Sequence, residues 1–223
     1  MIPRLLEPEA MDTPEEVLEY DAMDHSQVNT KFVGDFLCAH GPSRGGEILD
    51  VGTGTARIPI ALAQADPQAR ILAVDISPNM LARAAANIAR AGLADRIRCL
   101  RGDVKRLHEA VGTTRFEAVV SNTIIHHLPE PAEALRAMKE RTSPGGTLLV
   151  RDLARPASLS DLERLVLIYA GRETPRARDL FAASLHAALT LDEIRQIAQA
   201  LGLPGDCVAM SSDRHWTLKW KAE

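Results

Sequence analysis

The chain is poor in the residues that would commit it to a specialised class. Its 223 residues include three cysteines, Cys38, Cys99 and Cys207, set far apart and without the paired spacing of a zinc site. A disulfide framework is therefore not expected, and reduced thiols in a cytoplasmic protein are. Aromatic residues make up only 4% of the chain, so its core must be built mostly from Leu, Ile, Val and Ala. The net charge is −4 with no long basic run, which speaks against electrostatic capture of a nucleic-acid backbone. No apolar run approaches the roughly 20 residues needed to span a bilayer. The opening residues, Met1-Ile2-Pro3-Arg4-Leu5-Leu6-Glu7, lack the apolar stretch of a signal peptide. Neither a membrane partner nor export is expected. The histidines and acids show no H-x-x-E or similar ligand spacing, so the sequence gives no reason to expect a metal.

What remains is an ordinary globular composition, 46% hydrophobic and 25% charged. Its organisation is regular. An arm over 1–13 is punctuated by proline and acids. At Thr13 a helix starts, with Pro14 at its first position and Glu16 completing a capping box. A second helix over about 25–40 carries Val28, Phe32, Val33, Phe36 and Leu37 at helical spacing. Short apolar strands then alternate with amphipathic helices. Strands are predicted near 47–51, 70–75, 96–101, 115–121 and 146–151, with helices near 57–66, 78–91, 104–110 and 131–141. Such alternation means a parallel sheet covered on both faces. After Val150 the pattern becomes three helices, near 158–170, 176–187 and 190–201. Two strand candidates, 206–210 and 214–220, flank the turn Ser211-Ser212-Asp213 and should pair as a hairpin.

The segment Ile48-Leu49-Asp50-Val51-Gly52-Thr53-Gly54-Thr55-Ala56-Arg57 reads as a buried strand, a glycine turn and a helix start. Glycine lets backbone approach a ligand where a side chain would clash. The next apolar strand, Ile71-Leu72-Ala73-Val74, ends on Asp75, where an acid can accept hydrogen bonds from a ribose. Together these describe a nucleoside-cofactor site. A dinucleotide fingerprint, G-x-G-x-x-G, would need a glycine at the position of Arg57. Instead an acid, Asp50, precedes the first glycine by two residues.

That D-x-G-x-G run resembles the first motif of the class I S-adenosylmethionine-dependent methyltransferases. The resemblance spans about 46–151, with Ala56 standing where the family usually has a third glycine. It implies that Asp50 receives the ligand's ammonium group and that Gly52 and Gly54 bring backbone close to it. It implies that Asp75 holds the ribose hydroxyls and that Ile76 and Met80 flank the adenine. Asp103 and Val104, from Gly102-Asp103-Val104, would bind the adenine edge, and Ser121 would lie beside the methionine portion. Pro144-Gly145-Gly146 matches a turn the family often places before the fifth strand. Tyr20, on an N-terminal helix of the kind that folds over the cofactor in this family, joins the set. Any one such acid is more often a helix cap than a ligand contact. Polar residues at the carboxyl ends of four successive strands are a different matter, because that edge is where open α/β sheets bind ligands.

The expected fold is thus α/β, a doubly wound, seven-stranded, mostly parallel sheet. It carries an antiparallel C-terminal hairpin, N-terminal helices and a helical insertion after the fifth strand. One methyltransferase domain over 1–223 is expected. It comprises an N-terminal helical cap (1–45), a cofactor-binding core (46–151), a helical acceptor-side insertion (152–189), and the last helix with the hairpin (190–223).

The reaction implied is transfer of a methyl group from S-adenosyl-L-methionine to O, N or S, leaving S-adenosyl-L-homocysteine. A base is sought just past the fourth strand, in Ser121-Asn122-Thr123-Ile124-Ile125-His126-His127-Leu128-Pro129. The segment lacks the N-P-P-Y-like run of enzymes that methylate nucleobases or glutamine, and resembles the small-molecule branch. His126, His127 and Asp152 are the catalytic candidates, and the sequence does not choose between the two histidines. The acceptor side would draw on Asn29, Phe32, Tyr169, Ser184, His186 and His215. Arg155, Arg172 and Arg214 would suit a carboxylate-bearing acceptor. A homodimer through the added helices has no sequence feature behind it. Two alternatives stand beside this reading: a cofactor-binding protein without turnover, and a nicotinamide-dependent oxidoreductase.

Overall fold

The computed structural model describes residues 2–7, 13–23 and 25–223. Its strands are β1 (Glu47–Val51), β2 (Arg70–Asp75), β3 (Ile97–Arg101), β4 (Phe116–Asn122), β5 (Thr142–Leu153), β6 (Val208–Met210) and β7 (His215–Lys221). They form one seven-stranded sheet in the order β3-β2-β1-β4-β5-β7-β6. β1 runs parallel to both β2 and β4, with Ile48 opposite Ile71 on one side and Ala118 on the other. β2 runs parallel to β3. β6 and β7 pair antiparallel, Val208 opposite Leu218, as the hairpin reading expects.

Nine α-helices lie among the described residues: α1 (Pro14–Ala22), α2 (Ser26–His40), α3 (Arg57–Ala65), α4 (Pro78–Arg90), α5 (Leu107–Val111), α6 (Pro131–Arg141), α7 (Leu159–Ala170), α8 (Pro175–Ala187) and α9 (Leu191–Ala200). Their starts follow the side-chain chemistry. Thr13 and Glu16 form the capping box of α1, and Thr190 and Glu193 that of α9. The Ser77 hydroxyl accepts the Met80 N–H at 3.0 Å and opens α4. Each such cap contributes about 1 kcal/mol. Two details differ from the sequence reading. The helix expected at 104–110 is a 3₁₀ turn, Val104–Arg106, followed by the short α5. The Pro144-Gly145-Gly146 run, expected as a turn, is inside β5. Gly145 N–H donates to the Ala222 carbonyl at 2.8 Å, and Ala222 N–H to the Gly146 carbonyl at 2.9 Å. Those bonds draw the segment into the sheet. Of the arm expected at 1–13, residues 1 and 8–12 lie outside the described residues.

The chain divides into two compact units. The larger comprises Ala10–Asn122, Glu133–Val150 and Lys219–Glu223. Its core gathers Phe32, Phe36, Ile48, Leu62, Ile71 and Leu149. Burying each such side chain contributes about 1.5–3 kcal/mol. The smaller comprises Met1–Glu9, Thr123–Ala132 and Arg151–Leu218. Its core is Leu153, Leu162, Leu165, Leu185 and Ala188, with Ile2 packed among them. The scarce aromatics Phe32, Phe36, Phe116 and Trp216 are all fully buried. Among the described residues, no helix is long and apolar enough to cross a membrane.

The strand order positions the site. β1 lies between β2 and β4, so the chain steps outward to β3 on one side and returns to β4 on the other. Open α/β sheets bind ligands in the crevice that opens at the carboxyl ends of the strands flanking such a reversal.

Candidate active site

At that crevice, within the larger unit, is a cleft lined by Tyr20, His25, Asn29, Asp50, Gly52 and Asn122 among others. Its floor is the turn after β1. Gly52 and Gly54 both have positive φ, 73° and 54°, a region open to glycine at no steric cost. Ala56, where a glycine would be usual, is also left-handed, at φ 63°, and accepts a cost of about 1–2 kcal/mol. A Cβ added to Gly54 would lie 3.7 Å from the Tyr20 ring. The helix-borne tyrosine thus covers the turn directly.

Asp50 is the chemically distinctive group in the cleft. It is 2% exposed, and its Oδ2 accepts no hydrogen bond from the described residues. Burial, aided by the Asp75 carboxylate and opposed by the Thr53 hydroxyl, raises its pKa to about 7. A buried carboxylate oxygen without a donor is costly unless a ligand supplies one. An ammonium group fits that requirement, and S-adenosylmethionine carries one on its amino-acid end. The residues present therefore suit the cofactor implied by the sequence.

Asp75 holds the walls together. Its Oδ2 accepts the Gly54 N–H at 2.7 Å and its Oδ1 the Ser77 N–H at 2.9 Å. Beside it Ile76 is 40% exposed, an apolar surface of the kind an adenine ring would cover, whereas Met80 is buried. Asp103 caps the turn after β3 by accepting the Lys105 N–H at 2.9 Å, and Val104 is buried behind it. Ser121 is fully buried, its Oγ donating to the Val51 carbonyl at 2.9 Å. The following residue, Asn122, is the one that lines the cleft.

Asp21 is a residue that motif reading missed. It is buried in the last turn of α1, one residue after Tyr20. Its carboxylate takes Arg57 Nε at 3.1 Å, Arg83 Nε at 2.6 Å and Asn87 Nδ2 at 3.0 Å, which ties α1 to α3 and α4. The sequence does carry a signal. An acid near a helix C-terminus opposes the helix dipole and calls for a cationic partner. Asp21→Ala should release α1 and Tyr20 with it, at a cost of about 2 kcal/mol for the unpaired donors. We expect about tenfold weaker S-adenosylhomocysteine binding by calorimetry and faster proteolysis within 13–23. Unchanged affinity and unchanged cleavage would show that α1 needs no such tie.

The three catalytic candidates come together in the smaller unit. Thr123, with φ 57°, turns the chain sharply after β4, and its N–H donates to the Arg151 carbonyl at 2.8 Å. The 3₁₀ turn Ile125–His127 follows. Asp152, fully buried, accepts Ile125 N–H at 2.5 Å and His126 N–H at 3.2 Å on Oδ2. Its Oδ1 meets His126 Nδ1 at 2.6 Å and accepts Leu153 N–H at 2.6 Å. On the other side His126 Nε2 and His127 Nδ1 each lie 3.2 Å from Glu7 Oε1. The two rings are 4.1 Å apart. Burial lowers the His126 pKa, but Asp152 and Glu7 together outweigh it and raise it to about 9. Glu7 is held by its arm. Leu5 N–H donates to the His186 carbonyl, Arg4 Nε to the Ala187 carbonyl at 2.7 Å, and Arg4 Nη2 to the Leu128 carbonyl at 2.9 Å. Ser184 Oγ donates to Glu7 at 3.0 Å.

The remaining acceptor-side candidates are largely engaged. Arg155, buried, pairs with Glu193 at 2.5 Å and not with Asp152. Arg214 stacks 3.3 Å over the Tyr169 ring and pairs with Asp213. His215 is buried with Nδ1 2.9 Å from Ser212 Oγ. Burial and the adjacent Arg214 push its pKa down to about 4.

A family model described as a methyltransferase domain matches residues 42–200. A tRNA1(Val) (adenine(37)-N6)-methyltransferase of Porphyromonas gingivalis is 35% identical over 160 residues, which are 67% of this chain and 59% of that protein. The chain thus spans about three-fifths of that relative's length. An uncharacterised methyltransferase of Mycobacterium tuberculosis is 31% identical over 179 residues, 78% of this chain and 86% of that one. Among solved structures, a SAM-dependent methyltransferase from Aquifex aeolicus superposes with a TM-score of 0.68 at 16% identity, covering 94% of this chain and 98% of its own.

Proposed function

The chain belongs to the class I S-adenosylmethionine-dependent methyltransferases, and on that premise we propose that it methylates an O, N or S atom of a small-molecule acceptor in the cytoplasm. The unpaired Oδ2 of Asp50, buried in the cleft above the glycine turn, is the observation that carries the cofactor side of this reading. When bound, S-adenosyl-L-methionine supplies an electrophilic methyl group on a sulfonium.

The chain's own residues then have separable tasks. Asp50 receives the ammonium, and Gly52 and Gly54 give close backbone approach. Tyr20 covers the turn, Asp75 takes the ribose hydroxyls, and Ile76 with Met80 flanks the adenine. Asp103, Val104 and Ser121 complete the walls. His126, His127 and Asp152 are the polar groups proposed to serve the acceptor. His126 is already committed on Nδ1 to Asp152, which makes it a group that orients the turn carrying His127.

The small-molecule assignment rests on Ser121-Asn122-Thr123-Ile124 standing where nucleobase and glutamine methyltransferases carry an N-P-P-Y-like run, and on the net charge of −4. Of the three arginines suited to a carboxylate-bearing acceptor, Arg155 and Arg214 already hold Glu193 and Asp213. That leaves the exposed Arg172. An RNA acceptor is the second reading, and the Porphyromonas relative is what favours it. Calorimetry with S-adenosylhomocysteine and a methyl-transfer assay with labelled cofactor separate the cases. Turnover on a panel of small O-, N- and S-nucleophiles, with none on unmodified tRNA, is the expected outcome. Labelling of tRNA without small-molecule turnover would overturn the acceptor assignment. Cofactor binding with no transfer to either would point to a protein without turnover.

A further inference from the structure

We propose that Glu7, His126 and His127 form a binding site for a divalent cation of the zinc type, with His126 Nε2, His127 Nδ1 and a Glu7 carboxylate oxygen as its three protein ligands. These three ligand atoms all lie within 4.8 Å of one another. The inference goes beyond methyl transfer and does not depend on the acceptor.

The first support is spacing. A tetrahedral zinc ion with bonds of about 2.0–2.1 Å sets its ligand atoms about 3.3 Å apart. Both histidine nitrogens stand 3.2 Å from Glu7 Oε1. Both nitrogens face the same Glu7 oxygen, so a cation entering among them would replace the His126–Glu7 hydrogen bond at the spacing that the three side chains already set.

The second support is the surroundings. Metal-binding histidines characteristically give their other ring nitrogen to a carboxylate, which fixes the ring and its tautomer. Asp152 does this to His126, and is itself fixed by the backbone N–H groups of Ile125, His126 and Leu153. Glu7 is oriented in turn by the Ser184 hydroxyl and by the arm's bonds to residues 186 and 187. The donor set, two imidazoles and one carboxylate, suits zinc and neighbouring divalent transition metals rather than calcium or magnesium. Three protein donors leave one position for water or a substrate heteroatom. The sequence hid the site because its ligands are not in one motif. Glu7 is separated from the histidines by most of the cofactor-binding core, and neighbouring histidines in a 3₁₀ turn match no familiar spacing.

The test is metal binding by the full-length protein after chelator treatment and dialysis. Titration with Co²⁺, and with Zn²⁺ against a chromophoric chelator, should saturate at one equivalent, and Co²⁺ should develop the visible absorption of a low-coordinate site. Glu7→Gln and His127→Ala should each weaken binding about a hundredfold, and Asp152→Asn about 10–100-fold. Circular dichroism and S-adenosylhomocysteine calorimetry on the same samples report folding and cofactor binding independently. A variant that has lost its metal but keeps its cofactor affinity isolates the site. Saturation absent in the wild type would overturn the proposal. So would Glu7→Gln and His127→Ala proteins that are folded and bind one equivalent as tightly as the wild type.

Discussion

Replacing Asp50 with asparagine should weaken S-adenosylhomocysteine binding about a thousandfold while making the cofactor-free protein more stable above pH 7. The two effects have one cause. Asp50 is almost wholly buried, and its Oδ2 has no donor among the described residues. An ionised carboxylate there is unfavourable until a cation arrives. Removing one member of a buried charge pair costs about 2–5 kcal/mol. At 1.4 kcal/mol per tenfold, about 4.2 kcal/mol, in the upper half of that range as suits an almost wholly buried carboxylate, is about a thousandfold. An asparagine side chain would imitate the protonated acid in shape and charge, so the empty cleft would lose nothing by the exchange.

The pH dependence follows from the sign of the shift. The Asp50 pKa is raised to about 7 in the folded chain, against about 3.9 unfolded. Between those values the folded state binds the extra proton, so its stability falls as pH rises from about 4 through about 7. The whole effect is at most about 4 kcal/mol, from about three pH units at 1.36 kcal/mol each. Cofactor affinity should run the opposite way. It should weaken about tenfold per pH unit below 7, because the proton must leave before the ammonium can pair. Calorimetry from pH 5 to 8 would show this slope in the wild type and a flat profile in Asp50→Asn. Parallel profiles, or a variant that melts lower at pH 8, would disprove the account.

The cofactor half of the site was readable because its determinants are local. A strand that ends in Asp50, a turn that needs positive φ at Gly52 and Gly54, and an acid at the end of the next strand are consecutive features. Each is dictated by backbone geometry within a few residues. Strand alternation then fixed the parallel sheet, and caps at Thr13, Ser77 and Thr190 fixed the starts of three helices. Where the sequence reading slipped, a partner distant in the chain decided the outcome. Pro144-Gly145-Gly146 contains strong turn formers, yet Ala222 draws it into β5 by two backbone bonds.

The acceptor side was less legible for the same reason, carried further. Asp152 can be singled out as an acid just after a predicted strand, and the nearby Arg155 is the local partner that the chain offers it. Arg155 is paired with Glu193 instead, and Asp152 with His126. Glu7 had no distinguishing neighbours in the chain, and the arm's bonds to residues 128, 186 and 187, with the Ser184 hydroxyl on Glu7 itself, bring it to the histidines. Its role depends on contacts between residues more than a hundred positions apart, which no periodicity or motif encodes. The scarcity of aromatics, by contrast, was informative. With Phe32, Phe36, Phe116 and Trp216 all spent on cores, Tyr20 stands out as an aromatic placed over a functional turn.

Asp152→Ala is expected to lower the melting temperature by about 10–15 °C. Four donors converge on this fully buried carboxylate, two on each oxygen: His126 Nδ1 and Leu153 N–H on Oδ1, Ile125 N–H and His126 N–H on Oδ2. That matches its lone-pair capacity, so no donor can be redirected to it from elsewhere and none can be lost without an orphan. Alanine leaves three buried backbone N–H groups and one ring nitrogen unpaired. Breaking a buried charged network from one side costs about 3–5 kcal/mol, and each kcal/mol moves the melting point of a chain this size by about 2–4 °C. The damage should be local before it is global. Hydrogen exchange should accelerate at the Ile125, His126 and Leu153 amides, and leave those of β1 and β2 close to wild type below the transition. Asp152→Asn should lose less, because it keeps the volume and one acceptor oxygen while turning an NH₂ group toward backbone donors. Methyl transfer should fall in kcat for both variants, because the turn that carries His127 is the part released. A melting point within about 3 °C of wild type, with the three amides still protected, would mean the turn is held by its own backbone bonds and Asp152 serves some other purpose.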